Sequence, residues 1–213
     1  MRGIYLVTDR GLCRGRSLLD VVRKAVQGGV SCVQLREKNL PTRAFVEEAL
    51  AVKKILAPHG IPLMINDRID VALAAGADGV HIGQEDMPYE TARRLMGPKA
   101  IIGLSVETWA DVEASRDLDV DYLGVSPVFA TPTKTDTKEP WGLEGLRKIK
   151  AFSRHPLVAI GGISQINARE VAEAGADCLA VVSAICSAGN PAEATARLKH
   201  AFDVALRSRE NRK

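Results

Sequence analysis

Two aspartates stand after short apolar runs, where together they could hold a metal ion. Asp67 follows the run at 62–65, and Asp86 follows the run at 79–82. If these runs are neighbouring parallel strands, both carboxylates lie at one edge, where oxygen ligands completed by water and phosphate oxygens suit Mg²⁺. The alternative is structural, with Asp86 as the cap of a helix that begins near Tyr89.

Three cationic side chains occupy comparable positions and predict an anion-binding site beside that metal ion. Arg36 and Lys38 follow a third apolar run, and Lys134 lies in the polar stretch after another. A guanidinium offers a planar fork and an ammonium a point charge, and both suit phosphate oxygens. Single basic residues are usually only solvated, but three at strand ends beside two carboxylates indicate a highly charged ligand.

A second anion site is predicted after the last two apolar runs. Gly161-Gly162 and Val182-Ser183 are each expected to open a helix, whose first backbone N–H groups favour a phosphate. The alternative for Gly161-Gly162 is a tight turn that binds nothing.

No spacing predicts a nucleophile supplied by the protein. The cysteines and serines show no pairing with a histidine, and the four cysteines lack the spacing of a zinc site. Cys32 and Cys178 lie in apolar runs and are predicted to be buried thiols. His81 alternates with apolar neighbours, so a hydrogen-bonded interior histidine is favoured over a general base.

The elements that would position these residues alternate along the whole chain. Short β-branched runs are separated by segments with the i, i+3, i+4 apolar stripe of helices that cover a sheet. This alternation predicts a parallel sheet, because parallel strands need crossover helices. The predicted strands are 4–8, 32–36, 62–65, 79–82, 101–104, 122–125, 157–160 and 179–182.

A repeat favours closure of this sheet into a barrel. Gly76-Ala77-Asp78 returns as Gly175-Ala176-Asp177, with looser copies at 29–33 and 119–123. The glycines fit helix-terminating positions, so every second strand is entered in the same way. Four double units of this kind predict a single α/β domain, a (β/α)8 TIM barrel with parallel strands. An open doubly wound sheet is the alternative, although no Gly-x-Gly-x-x-Gly follows the first strand.

Composition and charge restrict the class of protein. The 213 residues, 46% of them apolar, predict one globular domain at 1–206 and a basic tail at 207–213. The tail accounts for the net charge of +3, so the neutral body argues against a nucleic-acid partner. No apolar run suits a signal peptide or a membrane span, so we expect a cytoplasmic protein without membrane partners. A homo-oligomer is compatible with the sequence.

Six short motifs follow one another along the chain. They are Tyr5-Leu6-Val7-Thr8-Asp9, Gln34-Leu35-Arg36-Glu37-Lys38, Ile65-Asn66-Asp67-Arg68, His81-Ile82-Gly83-Gln84-Glu85-Asp86, Thr131-Pro132-Thr133-Lys134-Thr135-Asp136 and Ile160-Gly161-Gly162-Ile163. Each motif alone is modest. Their shared order, from residue 4 to about residue 187, resembles the thiamine-phosphate synthase family.

The resemblance implies a transferase of thiamine biosynthesis that acts on two small-molecule substrates. It implies that 4-amino-2-methyl-5-pyrimidinylmethyl diphosphate is joined to 4-methyl-5-(2-phosphoethyl)thiazole, or to its carboxylated form, giving thiamine phosphate and diphosphate. The family mechanism is dissociative: diphosphate leaves first, and the thiazole nitrogen captures the resulting cation.

The resemblance also assigns residues by matching position. It implies that Asp67 and Asp86 hold a required Mg²⁺. The residues that it implies for the pyrimidine diphosphate are Gln34, Leu35, Arg36, Glu37, Lys38, Asn66, Ser105 and Lys134. Those that it implies for the thiazole phosphate are Thr131, Pro132, Thr133, Gly162, Val182 and Ser183. Within these sets the catalytic candidates are Arg36, Lys38, Ser105 and Lys134.

The sequence departs from the family pattern at two positions, and three other functions are weighed against the resemblance. Glu107 stands where the family often has His, and Ser126 replaces a frequent Gly. A thiazole tautomerase of the same fold is expected to place a His near Pro127, which cannot act as a base. A non-catalytic relative that binds thiamine precursors would not need the metal and diphosphate residues. A phosphate-sugar isomerase on the same barrel leaves Asn66 and Asp67 unexplained.

Overall fold

The chain folds as a closed barrel of parallel strands surrounded by helices, as the repeat predicts. The computed structural model describes residues 1–131 and 138–210. Each strand pairs in parallel with the next, and the last returns to the first, where Gly3 lies opposite Cys178. Within the described residues the strands are β1 (Gly3–Val7), β2 (Cys32–Leu35), β3 (Leu63–Asn66), β4 (Gly79–Ile82), β5 (Ile101–Val106), β6 (Tyr122–Val125), β7 (Leu157–Ala159) and β8 (Cys178–Val181).

Helices connect the strands and cover the outside of the barrel. They are α1 (Leu18–Gln27), α2 (Thr42–Leu56), α3 (Ile69–Ala75), α4 (Tyr89–Met96), α5 (Trp109–Ala114), α6 (Gly142–Phe152), α7 (Ala168–Glu173), α8 (Ser183–Cys186) and α9 (Pro191–Glu210). In α1 the buried residues are Leu18, Val21, Val22 and Ala25, the spacing that lays one face on the sheet. Over the described part of the chain, no helix has the length and hydropathy to cross a membrane.

The core has two layers because successive side chains of a strand point to opposite faces. One set packs beneath the helices, and the other fills the barrel. The buried residues of the barrel interior are Tyr5, Val7, Cys32, Met64, Tyr122, Val158, Cys178 and Ala180. Cys32 and Cys178 are buried free thiols, which confirms that prediction.

The glycines of the repeat end helices, as predicted. Gly76 follows α3 with a left-handed φ of 59°, and the next residue, Ala77, donates its N–H to the carbonyl oxygen of Ala72 at 2.9 Å. Ala176, after Gly175, makes the same kind of bond to Val171 at 3.3 Å. This bond satisfies a carbonyl that the helix end leaves free and turns the chain toward the next strand.

The polar residue at the third position of each copy of the repeat connects an even-numbered strand to the strand before it by hydrogen bonds. Asp78 accepts the N–H of Leu63 at 2.8 Å, and its own N–H donates to the carbonyl oxygen of Leu63 at 2.9 Å. Ser31 instead donates both its N–H and its hydroxyl to the carbonyl oxygen of Ile4. We call these contacts the strand-entry clamps. Their four pairs are Ser31–Ile4, Asp78–Leu63, Asp121–Ile102 and Asp177–Leu157.

The carboxyl-terminal segment differs from the expected tail. Helix α9 continues to Glu210, so the boundary expected at 206 falls inside a helix. The guanidinium of Arg209 donates to the carbonyl oxygens of Ala172 at 3.0 Å and Ala176 at 2.9 Å. The first part of the basic segment is therefore docked on the barrel by hydrogen bonds at the end of α7.

Replacing Gly79 in β4 with Ala should destabilise the barrel. A Cβ at this position would lie 2.0 Å from the backbone oxygen of Ile101, in the paired strand β5. Because backbone cannot yield like a side chain, we expect a loss of about 2 kcal/mol in the free energy of unfolding. Urea unfolding followed by circular dichroism measures it. Gly189→Ala is the control, since a Cβ built at Gly189 would have no non-neighbouring atom within 4 Å. Equal stability of the two variants would contradict the close approach.

Candidate active site

A cavity of about 650 Å³ opens at the carboxyl ends of the strands. Because the interior of a barrel is filled by side chains, this rim is where ligands bind. The predicted site residues that line it are Gln34, Arg36, Lys38, Asn66, Asp67, Asp86, Ser105, Thr131, Gly162, Val182 and Ser183. The structure therefore gathers both aspartates, two of the three cations and the Gly162–Ser183 end around one cavity.

Among the described residues of the predicted set, two do not face this cavity. Leu35 is completely buried in the layer beneath the helices, and the Glu37 carboxylate pairs with Arg10 at 3.4 Å. Side-chain alternation in β2 explains the position of Leu35, because Gln34 points inward and the next residue points outward. Glu37 lies in the loop after β2, where its partner is Arg10. The expectation that Leu35 and Glu37 bind substrate is thus corrected for their side chains.

Glu37 instead anchors the loop that carries Arg36 and Lys38. Its side chain is 7% exposed, and Arg10 pairs with both Glu37 and Glu48. Burial raises the pKa of the Glu37 carboxyl, Arg10 lowers it and the neighbouring Glu48 raises it again. This cluster, in which both carboxylates are largely buried and Arg10 is half exposed, holds the loop between β2 and α2 from its outer side.

The predicted residues after β6 lie partly outside the described chain. Thr131 is described and lines the cavity. Pro132, Thr133 and Lys134 lie outside the described residues, and their assigned roles stay predictions.

Lys38 and Asp67 form an ion pair at the cavity wall. The ammonium of Lys38 lies 2.6 Å from a carboxylate oxygen of Asp67. Asp67 has a φ of 60°, a left-handed conformation that costs a residue with a side chain about 1–3 kcal/mol. Its N–H donates to the carbonyl oxygen of His81 at 2.9 Å, which holds this conformation in place.

Asp86 faces Asp67 across the same corner of the cavity. Its carboxylate accepts the N–H of Gly83 at 2.7 Å, within the turn that follows β4. Helix α4 begins at Tyr89 without a side-chain cap, so the alternative role of Asp86 as a helix cap is not what the structure shows.

The pKa of the Asp86 carboxyl is raised. Burial is the largest cause, and the carboxylate of Asp67 raises it further through its charge and a shared hydrogen bond. The N–H of Gly83 and the charge of Lys38 act in the opposite direction. The Asp67 and Asp86 carboxylates are therefore close enough to affect each other's protonation, and carboxylates at such a distance can share one cation.

The donors of this corner fit Mg²⁺. Both are carboxylates, the hard oxygen ligands that this ion prefers. Among residues 1–131 and 138–210, no three His, Cys, Asp or Glu side chains converge on one point. A metal ion here would take its remaining ligands from water and from a bound anion, which is how Mg²⁺ is usually held beside phosphates.

The opposite end of the cavity is formed by the turns after β7 and β8. Gly162 has a φ of 64°, and a Cβ there would lie 2.7 Å from that of Phe129. The amide of Asn167 donates to the carbonyl oxygen of Gly162 at 2.9 Å and shapes the turn. Gly161-Gly162 does not open a helix directly, because α7 begins only at Ala168, whereas Val182 directly precedes α8, a helix of four residues.

A chain of hydrogen bonds crosses the floor of the cavity. Its side chains come from five strands and touch in sequence, with donor–acceptor distances of 2.8–3.0 Å. In order they are Gln34, Tyr5, Tyr122, His81 and Ser105. His81 is therefore the hydrogen-bonded interior histidine that the sequence favours.

Tyr5 and Tyr122 are cavity residues that sequence reasoning misses. Both are at most 1% exposed and resemble ordinary core residues of β1 and β6. The period of two from Tyr5 to Val7 and from Tyr122 to Gly124 is the signal that could have placed them inside the barrel. Glu107 and Ser126, the two departures from the family pattern, also line the cavity.

Comparisons with known proteins agree with one another. The family model described as thiamine monophosphate synthase matches residues 4–185. A thiamine-phosphate synthase of Albidiferax ferrireducens is 65% identical over 94% of this chain and 92% of its own length. One of Leptospira biflexa is 55% identical over 95% and 98%. The solved thiamine phosphate pyrophosphorylase of Pyrococcus furiosus is 39% identical, with a TM-score of 0.87 over 96% of each chain.

Replacing Asp67 with Asn should lower the pKa of the Asp86 carboxyl. The substitution removes the negative charge that favours protonation of Asp86 and leaves Lys38 beside it. Carboxyl-carbon NMR titration without divalent cations measures the change. Asp20→Asn, on the outer surface of α1, is the control and should leave this pKa where it is. An unchanged or higher pKa in Asp67→Asn would contradict the coupling of the two carboxylates.

Proposed function

The chain belongs to the thiamine monophosphate synthase family, and we propose that it makes thiamine phosphate in the rim cavity. It is a transferase that joins 4-amino-2-methyl-5-pyrimidinylmethyl diphosphate to 4-methyl-5-(2-phosphoethyl)thiazole, or to its carboxylate, and releases diphosphate. The residues that line the cavity support a particular set of site residues and a metal ion for this reaction.

One observation carries the assignment of the site. The corner with Arg36, Lys38, Asp67 and Asp86 and the turn at Gly162 line the same cavity of about 650 Å³. A reaction between a diphosphate and a monophosphate needs two anion-binding ends with room between them for two rings. The cavity supports this proposal, because the basic corner and the Gly162 turn both line it.

The Arg36 and Lys38 side chains are proposed to bind the leaving group. The bond between the methylene carbon and the diphosphate oxygen breaks, and its electron pair goes to that oxygen. Two unit charges 4 Å apart interact by about 4 kcal/mol at an effective dielectric constant of 20, so each cation can stabilise the departing charge substantially. Lys134 is proposed to assist from the stretch after β6.

Asp67 and Asp86 are proposed to hold Mg²⁺. A bound ion would neutralise part of the negative charge of diphosphate and so make it a better leaving group. Asn66, which is 8% exposed and is the last residue of β3, directly before Asp67, is proposed to orient the diphosphate with its amide.

The Gly162 and Ser183 end is proposed to bind the thiazole phosphate, with Thr131, Pro132, Thr133 and Val182. Holding this phosphate orients the thiazole ring, whose nitrogen lone pair then forms the new bond to the methylene carbon. No nucleophile from the protein is required, so positioning supplies much of the rate enhancement. The buried thiols fit this picture, because burial raises the pKa of Cys178 and of Cys186 to about 12.

The alternative functions lack support at the residues they need. Residue 127 is a buried proline, which has no group to exchange protons with a thiazole. The relatives reported above are named as synthases or a pyrophosphorylase, not as regulators or sugar isomerases. The free state of the four cysteines supports the further proposal that the reaction takes place in the cytoplasm.

The reaction is tested by mixing the purified protein with both precursors and Mg²⁺. We expect thiamine phosphate and diphosphate in equal amounts, identified by chromatography and mass. A parallel reaction with EDTA should lose most of its product, and excess Mg²⁺ should restore it. Product formation that is indifferent to EDTA would overturn the metal assignment, and absence of product would overturn the function.

Replacing Asp86 with Asn should lower turnover about 100-fold, because one ligand charge for the metal is lost while the fold is kept. We also expect half-saturation at a higher Mg²⁺ concentration. Steady-state kinetics over a Mg²⁺ series and a thermal melt measure both effects. Asp203→Asn, in an exposed ion pair on α9, is the matched control and should behave like the unmodified protein. Parallel losses of activity and melting temperature in Asp86→Asn would argue for a structural role.

A further inference from the structure

The hydrogen-bond chain on the cavity floor has a direction, from donor to acceptor, at each of its four links. Its first link is the side-chain amide nitrogen of Gln34, which lies 2.8 Å from the hydroxyl of Tyr5. Tyr5 lies 3.0 Å from the hydroxyl of Tyr122, which lies 3.0 Å from Nδ1 of His81. The last link joins Nε2 of His81 to Oγ of Ser105 at 2.8 Å.

With the amide nitrogen of Gln34 toward Tyr5, the chain runs in one direction, because this nitrogen can only donate. Tyr5 accepts this hydrogen bond and has one proton of its own, which points to the oxygen of Tyr122. Tyr122 then donates to Nδ1 of His81, and an imidazole with a single ring proton carries it on Nε2 in this arrangement. That proton points to Ser105, whose own hydroxyl proton is left for the cavity.

The opposite direction would leave Tyr5 with a poor acceptor. If Tyr122 donated to Tyr5, the Tyr5 proton would have to turn toward the thiol of Cys32, a weak acceptor. Both tyrosines remain neutral donors, because burial raises their pKa well above the ordinary value. A phenol proton therefore favours the neighbouring phenol oxygen.

The barrel makes room for this chain at two strand positions. A Cβ at Gly103 of β5 would lie 2.0 Å from the ring of Tyr122. A Cβ at Gly124 of β6 would lie 2.8 Å from Cε1 of His81. The two rings stack with 17° between their planes, so both glycines maintain one arrangement of the imidazole and the phenol.

We propose that Tyr122 is a positioning residue, which holds His81 in its Nε2–H form and thereby commits the Ser105 hydroxyl to donate into the cavity. The inference deepens the proposed function and rests on it. Ser105 then pairs with a hydrogen-bond acceptor of the substrate, and an unshared ring nitrogen of the pyrimidine is an acceptor of that kind. Tyr122 itself acts only through His81.

The tautomer of His81 can be measured without any substrate. In protein labelled with ¹⁵N-histidine at about pH 8, where an ordinary imidazole is neutral, the ring nitrogen shifts distinguish the two forms. The His81→Gln variant assigns the signals among the four histidines. We expect Nε2–H in the unmodified protein and a mixture of forms in Tyr122→Phe. An Nδ1–H tautomer, or a doubly protonated ring, in the unmodified protein would overturn the proposal.

Kinetics test what this tautomer does for the substrate. We expect Tyr122→Phe to lower kcat/KM for the pyrimidine diphosphate about tenfold, the effect of losing one oriented hydrogen bond, with the KM of the thiazole phosphate unchanged. Deaza analogues of the pyrimidine, in which each ring nitrogen is replaced in turn by C–H, provide a second readout. One of them should bind more weakly than the parent to the unmodified protein, and this difference should vanish in Tyr122→Phe.

Tyr89→Phe is the matched control, since the hydroxyl of Tyr89 donates to the carbonyl oxygen of Asp119 on the outside of the barrel. If Tyr122→Phe does not fold, Tyr5→Phe breaks the same chain one link earlier and should show the same two effects. A thermal melt that falls in Tyr122→Phe with unchanged kcat/KM would show a structural role only and overturn the proposal. The two failures are distinguishable: an inactive unmodified protein overturns the function, and the wrong tautomer overturns the hydrogen-bond chain.

Discussion

The closed parallel barrel imposes an alternation of inward and outward side chains, and every property of the cavity depends on it. Gln34 reaches the rim cavity because it has the inward parity of β2, while Leu35 has the other parity and faces the helices. Arg36 and Lys38 extend this side into the loop after β2 and also line the cavity, and Glu37 turns to Arg10. A shift of one residue in the pairing of β2 with β3 would exchange the two sets and place carbon side chains where the anion is to bind. The fold and the site are thus specified by the same register.

The corner that holds the two aspartates is a costly arrangement in the free protein. Asp67 is held in a left-handed conformation, and Asp86 is partly buried next to a second carboxylate. Lys38 offsets part of this cost through its contact with Asp67. Such local destabilisation is common at ligand-binding sites. A cation or a charged substrate that binds only the folded state raises the free energy of unfolding and so offsets the cost. The large buried core of the barrel contributes the stability that offsets this cost.

Much of the architecture could be predicted from the sequence, because it follows from periodicity. The strand positions and the recurring Gly-Ala-Asp segment identify eight parallel strands and their closure, and strand ends locate Asp67 and Asp86. Positions that depend on three-dimensional packing could not be predicted. Leu35 stands within a contiguous motif, so the sequence does not reveal that its side chain faces away from the cavity. A strand tyrosine such as Tyr122 has the same sequence pattern as an ordinary buried core residue. The turn at Gly161-Gly162 was expected to lead straight into a helix, but its glycines instead allow close contact with Phe129.

The strand-entry clamps divide the barrel into four modules, each an odd-numbered strand joined to the even-numbered strand after it. Every clamp lies inside a module, as between β3 and β4 at Asp78 and Leu63. The connections between modules, such as the one from β4 to β5, carry none of these four bonds. New termini created by circular permutation at such a connection would therefore preserve all four clamps, whereas a cut within a module would separate the two strands that a clamp joins. The sequence repeat therefore indicates the connections at which new chain termini can be placed without loss of a clamp.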